Sequence, residues 1–105
     1  MNEVYKYDKT QTGIKPEVIK QIIELAKMFG IHKVILFGSR AKGTFQERSD
    51  IDLAVSGGDY GLFRLAVEEE TSTLLKFNVV NLDKSVSSEL LTVIEKEGII
   101  LNEKV

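Results

Sequence analysis

Two aspartates and a glycine–serine pair are the residues in this sequence whose types and spacing suit chemistry. Gly38-Ser39 is followed by ten residues and then by Asp50-Ile51-Asp52. Residues i and i+2 of a β-strand point to the same face, so Asp50 and Asp52 are expected to present two carboxylates side by side. Such a pair repels itself unless a cation sits between the two groups. Hard oxygen ligands on a rigid strand suit Mg²⁺, which commonly takes one or two carboxylates together with phosphate oxygens and water. Gly38, lacking a Cβ, permits a sharp turn and close approach of a ligand. Ser39 adds a hydroxyl and a backbone N–H, and a helical turn begun at Ser39 would aim further N–H groups at a phosphate. Arg40, Lys42 and Arg48 bring positive charge to the same segment, although spacing does not say which of them faces the site.

Each feature has a plainer reading. A lone D-x-D is usually a pair of solvated aspartates, a lone Gly-Ser a turn, and scattered basic residues a contribution to solubility. Their conjunction, a strand ending in Gly-Ser that leads into a second strand with an acidic face, favours a functional site. Two other motifs are excluded. Gly38 to Thr44 has the two glycines of a P-loop, but Thr44 stands where the lysine is required. The segment from Asp50 lacks the third ligand and the glycine of a calcium loop, with Ala54 at the ligand position. The single histidine, His32, precedes a strand and is read as structural or exposed.

The surrounding pattern supplies elements to position these residues. Pro16 suits the first turn of a helix, with Val18, Ile19, Ile22, Ile23 and Ala26 on one stripe and Gly30 as the stop. Lys33 to Phe37 is β-branched and apolar and reads as a buried strand. Ile51, Leu53 and Val55 alternate with Asp50, Asp52 and Ala54 to make a second strand. Gly57-Gly58 forms a turn. Leu62, Leu65, Ala66 and Leu74 predict a less regular helix, whose Glu68-Glu69-Glu70 run is a solvated face. Lys76 to Leu82 reads as a third strand. Leu90, Leu91 and Ile94 form a short helical stripe stopped by Gly98. Ile99 to Leu101 reads as a fourth, edge strand. The expected fold is therefore α+β: a small mixed sheet backed by helices on one side. Residues 1–13 read as a polar N-terminal arm and residues 14–105 as one domain.

The 105-residue length fits one domain, and an open cleft is expected in place of a deep cavity. The formal net charge of −2 gives no field for non-specific nucleic-acid binding. The absence of cysteine removes disulfides, thiolate metal sites and a thiol nucleophile. The longest apolar run, Val34 to Phe37, is too short for a membrane span, and the polar N-terminus does not resemble a signal peptide, so a cytoplasmic location is expected.

The run G-S-R-A-K-G-x6-D-I-D-L-A-V, Gly38 to Val55, resembles the signature of the minimal nucleotidyltransferases of the DNA polymerase β superfamily, with agreement in element order over roughly residues 14 to 105. The resemblance implies a polymerase β-like core in which Gly38, Ser39 and Arg40 contact the triphosphate of ATP or another nucleoside triphosphate, and Asp50 and Asp52 act as catalytic metal ligands for two Mg²⁺ ions. It implies transfer of a nucleoside monophosphate to an acceptor hydroxyl with release of pyrophosphate. Small stand-alone members resembling this chain are paired with helical HEPN-type toxins, which implies an antitoxin that adenylylates or blocks its partner. The family pattern places a third carboxylate on a later strand, where Phe77-Asn78-Val79-Val80 puts Asn78. An amide oxygen can ligate Mg²⁺ but brings no charge and cannot take a proton. Asp83, five positions on, points to the opposite face and does not substitute. Two functional classes follow: an Mg²⁺-dependent adenylyl transferase acting on a partner protein, or a catalytically weakened nucleotide-binding antitoxin.

Overall fold

The computed structural model of the chain describes residues 12–103; most of the expected arm, residues 1–11, lies outside the described residues. The elements in chain order are α1 (Pro16–Met28), β1 (Lys33–Phe37), α2 (Ser39–Lys42), β2 (Ile51–Ser56), α3 (Tyr60–Glu70), β3 (Phe77–Asn81), α4 (Ser88–Glu97) and β4 (Ile99–Glu103). The strands form one sheet in the order β3-β2-β1-β4. β1 runs antiparallel to both β2 and β4, and β2 runs parallel to β3. The parallel pair needs a crossover, and α3 provides it.

Proline at the start of α1 costs no hydrogen bond, and Glu17 and Lys27 place charge favourably at the two ends of the helix dipole. Its face of Val18, Ile19, Ile22, Leu25 and Ala26 is buried. α3 starts where the Asp59 carboxylate accepts the Leu62 N–H at 3.1 Å. α4 starts in the same way, with Ser87 Oγ accepting the Leu90 N–H at 3.2 Å.

Strand alternation divides the sheet into two faces. Val34 and Leu36, Ile51, Leu53 and Val55, and Phe77 pack in the main core with α1 and with Phe63, Ala66 and Val67 of α3. Phe37 and Ala54 point the other way and pack with Ile94 of α4, with Ile35, Val80 and Leu90 against them. The mixed sheet and its helices match the α+β expectation. The one-sided backing is corrected in part: α1 and α3 share a face, whereas α4 covers the opposite one. The apolar side chains of Ile35, Phe37, Ala54 and Val80 on that face require a cover, and α4 supplies it.

α3 also departs from the pattern read for it. Leu62 and Leu65 are half-exposed, the helix ends at Glu70, and Leu74 lies beyond it, wholly exposed. With Tyr60 as the first helical residue, Tyr60, Phe63, Ala66 and Val67 fall on the inward stripe. Glu68, Glu69 and Glu70 are exposed, as expected of a solvated run. Among the described residues, no helix is long and apolar enough to cross a membrane.

Candidate active site

β1 ends at Phe37, directly opposite Asp52 of β2, and Asp52 lies opposite Asn78 of β3. Three neighbouring strands therefore bring Gly38, Asp52 and Asn78 to one end of the sheet, on the α4 face. Asp50, two residues before Asp52, shares that face. The Asn78 side chain makes this visible: its Nδ2 donates to Asp52 Oδ1 at 2.9 Å and to Asp50 Oδ2 at 3.1 Å. One amide N–H₂ thus ties the two carboxylates together. Asp50 and Asn78 are exposed and Asp52 is half-buried, so the group lies open to solvent at its outer edge.

Gly38 closes the inner edge. Its φ of 79° and ψ of −158° belong to a region that only glycine occupies without strain. A Cβ built there would run into Asp52 Oδ2. The absence of a side chain at Gly38 is therefore what lets the Asp52 carboxylate lie against the turn. The Gly38 carbonyl accepts from the amides of Ala41 and Lys42, both at 3.1 Å, and so starts the single turn of α2. The amides of Ser39 and Arg40 open that turn and have no carbonyl partner within it.

Arg40 has a different role from the one expected. Its side chain is 1% exposed. Nη1 donates to Thr12 O at 2.8 Å, Nε to Ser49 O at 3.0 Å, and Nη2 to Glu47 O at 3.0 Å and Gln46 O at 3.5 Å. The guanidinium also lies over the Phe45 ring, 4.8 Å from its centroid. Burial pushes its pKa below the ordinary value, yet an arginine so placed stays charged at neutral pH. The Arg40 side chain is thus removed from the phosphate-binding group, to which only its backbone amide remains available. It folds residues 43–49 around itself and so fixes the approach to Asp50. Its donors are satisfied by main-chain carbonyls, one of them 28 residues distant, a relationship that side-chain type and local spacing do not reveal.

The other basic residues of the segment separate as well. Lys42 Nζ pairs with Glu97 Oε2 of α4 at 3.9 Å. Arg48 lines a cleft that opens beside Asp50. Asp83 accepts the Gly57 N–H at 2.7 Å, in the turn at the far end of β2, which agrees with its exclusion from the site. His32 is exposed beside Gly57 and takes no part. Among the described residues no group of three or more His, Cys, Asp or Glu side chains is arranged to hold a metal ion. The donor set at the sheet end is therefore two carboxylates and one amide. That set fits a single Mg²⁺ completed by phosphate oxygens and water.

A family model described as "Polymerase beta, Nucleotidyltransferase" matches residues 17–105. The chain belongs to this nucleotidyltransferase family. Among curated proteins it is similar to "Putative protein adenylyltransferase MJ0604" of Methanocaldococcus jannaschii, with 44% identity over 61 residues. That match covers 58% of each chain, so this chain spans little more than half the length of that relative. Among solved structures it resembles a toxin–antitoxin crystallised with AMP-PNP, at TM-score 0.65 and 26% identity, covering 82% of this chain and 73% of the other. A mutant form of the toxin–antitoxin MntA-HpeT aligns at TM-score 0.64 and 25% identity, over 81% and 72% of the two chains. A Shewanella oneidensis structure shares the fold at TM-score 0.60 and 17% identity, over 86% and 74%.

Proposed function

We propose that this chain binds Mg²⁺–ATP at the end of β1, β2 and β3 and transfers AMP to a hydroxyl of a partner toxin, acting as the antitoxin of the pair. The observation that carries this reading is the double hydrogen bond from Asn78 to Asp50 and Asp52 beside the Gly38 turn. It places three potential oxygen ligands within one side chain's reach of each other, next to a turn with outward first amides. The similarity to a toxin–antitoxin complex crystallised with AMP-PNP supports the choice of an adenine nucleotide and of a toxin partner. The HEPN-type helical character of that partner rests on the resemblance of the Gly38–Val55 signature.

Asp50 and Asp52 would hold the metal, with Asn78 contributing its Oδ1 after the amide turns over. Bound there, Mg²⁺ supplies positive charge against the triphosphate. Ser39 and the first amides of α2 orient the phosphates, and Gly38 leaves room for them beside Asp52. In the transfer, the acceptor oxygen forms a bond to the α-phosphorus as the bond from that phosphorus to the bridging oxygen breaks. Pyrophosphate leaves with the electron pair, and the hydroxyl proton passes to solvent because Asn78 cannot accept it.

The same contact favours a second reading, a nucleotide-binding antitoxin with little transferase activity. Asn78 adds no charge, so the site carries one carboxylate fewer than the family pattern implies. Single-turnover assay of radiolabelled AMP transfer from ATP to the co-purified partner separates the two. Transfer that Asp52→Asn abolishes supports the enzyme. ATP binding and toxin neutralisation without label transfer support the binding protein.

A further inference from the structure

An open cleft of about 1110 Å³ has Asp50 in its lining. Small-molecule sites bury most of their ligand, whereas this cleft lies open to solvent, which suits a chain segment better than a compact ligand. One wall carries Arg48 and Glu47, another Lys76, and Lys15 stands at the start of α1. Lys76 is fixed close to the aspartates, because Ile51 N donates to Lys76 O at 2.8 Å where the two parallel strands begin.

The electrostatics of this cleft differ from those of the whole chain. The protein carries a formal charge of −2, yet Lys15, Arg48 and Lys76 are all exposed here. The side-chain ion pairs among the described residues are Lys33–Glu103 and Lys42–Glu97, so none of the three cations is paired. Glu47 and Asp50 line the same cleft and offset two of them, so the lining keeps one net positive charge where the whole chain is negative. The cleft also offers apolar surface: Val18 and Leu75 line it, and Leu74 is wholly exposed at its rim. The loop bearing Leu74 is held to α1, with Gln21 Oε1 accepting the Ser72 N–H at 2.7 Å and Gln21 Nε2 donating to Ser72 Oγ at 2.9 Å. The Thr71 hydroxyl donates to Val67 O of α3, and the Thr73 hydroxyl accepts the Leu75 N–H. What remains open for recognition is positive charge and an apolar ledge.

We infer that this cleft receives the acceptor segment of the partner protein: an acidic stretch of polypeptide with an apolar side chain beside the modified hydroxyl. The inference rests on the proposed transferase or antitoxin reading and adds where the partner's chain enters. Acidic side chains meet Arg48, Lys76 and Lys15, the apolar one lies on Leu74, and the hydroxyl residue reaches Asp50.

Fluorescence anisotropy of a labelled synthetic peptide, Asp-Glu-Leu-Tyr-Glu-Asp, against the full chain at low ionic strength tests this without requiring transfer. The expected result is saturable binding that Arg48→Glu with Lys76→Glu weakens at least tenfold. The matched control, Lys84→Glu with Lys96→Glu, changes net charge equally at exposed residues outside the cleft and should leave affinity unchanged. ATP affinity, titrated separately, should be unchanged in the control pair and should fall by less than peptide affinity in the cleft pair, whose charges stand close to Asp50. Equal weakening by the control pair, loss of ATP affinity with peptide binding intact, or no peptide binding by the unmodified protein would each overturn the assignment. Failure of the unmodified protein to bind ATP would count against the nucleotide site, while the peptide measurement would still report on the cleft.

Discussion

Asn78 donates to Asp52 across the parallel β2–β3 pair at 2.9 Å, from the position directly opposite it in the ladder. Because the same nitrogen also reaches Asp50, the amide lessens the mutual repulsion of two carboxylates that the strand geometry forces together. Under the proposed reading, Mg²⁺ arriving with the nucleotide would displace this contact.

Replacing Asn78 with aspartate therefore acts in opposite directions with and without metal. In chelator, Asn78→Asp puts three carboxylates together and should lower the melting temperature relative to the parent. In excess Mg²⁺ it should gain more than the parent does, since ligand at a hundredfold its Kd adds about 2.7 kcal/mol. AMP transfer to the partner should rise at least tenfold, about 1.4 kcal/mol of barrier, with ATP affinity changing little. Melting curves at several Mg²⁺ concentrations and single-turnover transfer check both. A fully active parent that gains no rate on substitution would show that Asn78 does not stand in the place of a third ligand.

Gly38→Ala should destabilise the fold and impair nucleotide binding together. The φ of 79° alone costs a substituted residue about 1–3 kcal/mol, and the added methyl displaces the Asp52 carboxylate. Urea denaturation and ATP titration of the same protein should both register the change. Loss of stability with unaltered ATP affinity would mean that the turn does not adjoin the phosphate site.

Arg40→Ala leaves the buried carbonyl of Thr12 and the partly buried carbonyls of Glu47 and Ser49 without their donor. Each unsatisfied group costs about 1–3 kcal/mol, so a loss of at least ~2 kcal/mol is expected in urea denaturation. Arg40→Lys should not restore it, because an ammonium cannot match the spread of the guanidinium donors. If Arg40→Ala kept full stability and lost only ATP affinity, Arg40 would belong to the phosphate site after all.

The parts of this molecule legible in its sequence are those governed by local geometry. Period-two alternation places Asp50 and Asp52 on one face, and the same alternation brings Asn78 into register with them once β3 pairs with β2. Gly38 is readable because only glycine suits a turn pressed against a carboxylate. The register of α3 is harder to read, since Leu62 and Leu65 are as apolar as Phe63 and Val67. The Asp59 cap decides which set turns inward. The place of α4 follows from a signal that helix periodicity does not carry: the apolar side chains of Phe37, Ala54 and Val80 on the aspartate face need a cover. Arg40 was the least legible residue, because the carbonyls that hold it come from a loop and from Thr12, and no spacing rule brings those together.

Calorimetric titration of ATP into the unmodified protein and into Asp52→Asn, at saturating Mg²⁺, addresses the nucleotide site most directly. Under the proposed reading, Asp50 and Asp52 supply the negative charge that holds Mg²⁺ at this sheet end, so removing one should weaken ATP at least tenfold, about 1.4 kcal/mol. The two proteins should be compared with melting curves to establish that both are folded. Weakened binding by folded Asp52→Asn supports a metal–nucleotide site between Gly38 and the aspartates. Equal ATP affinity in the two proteins would contradict it.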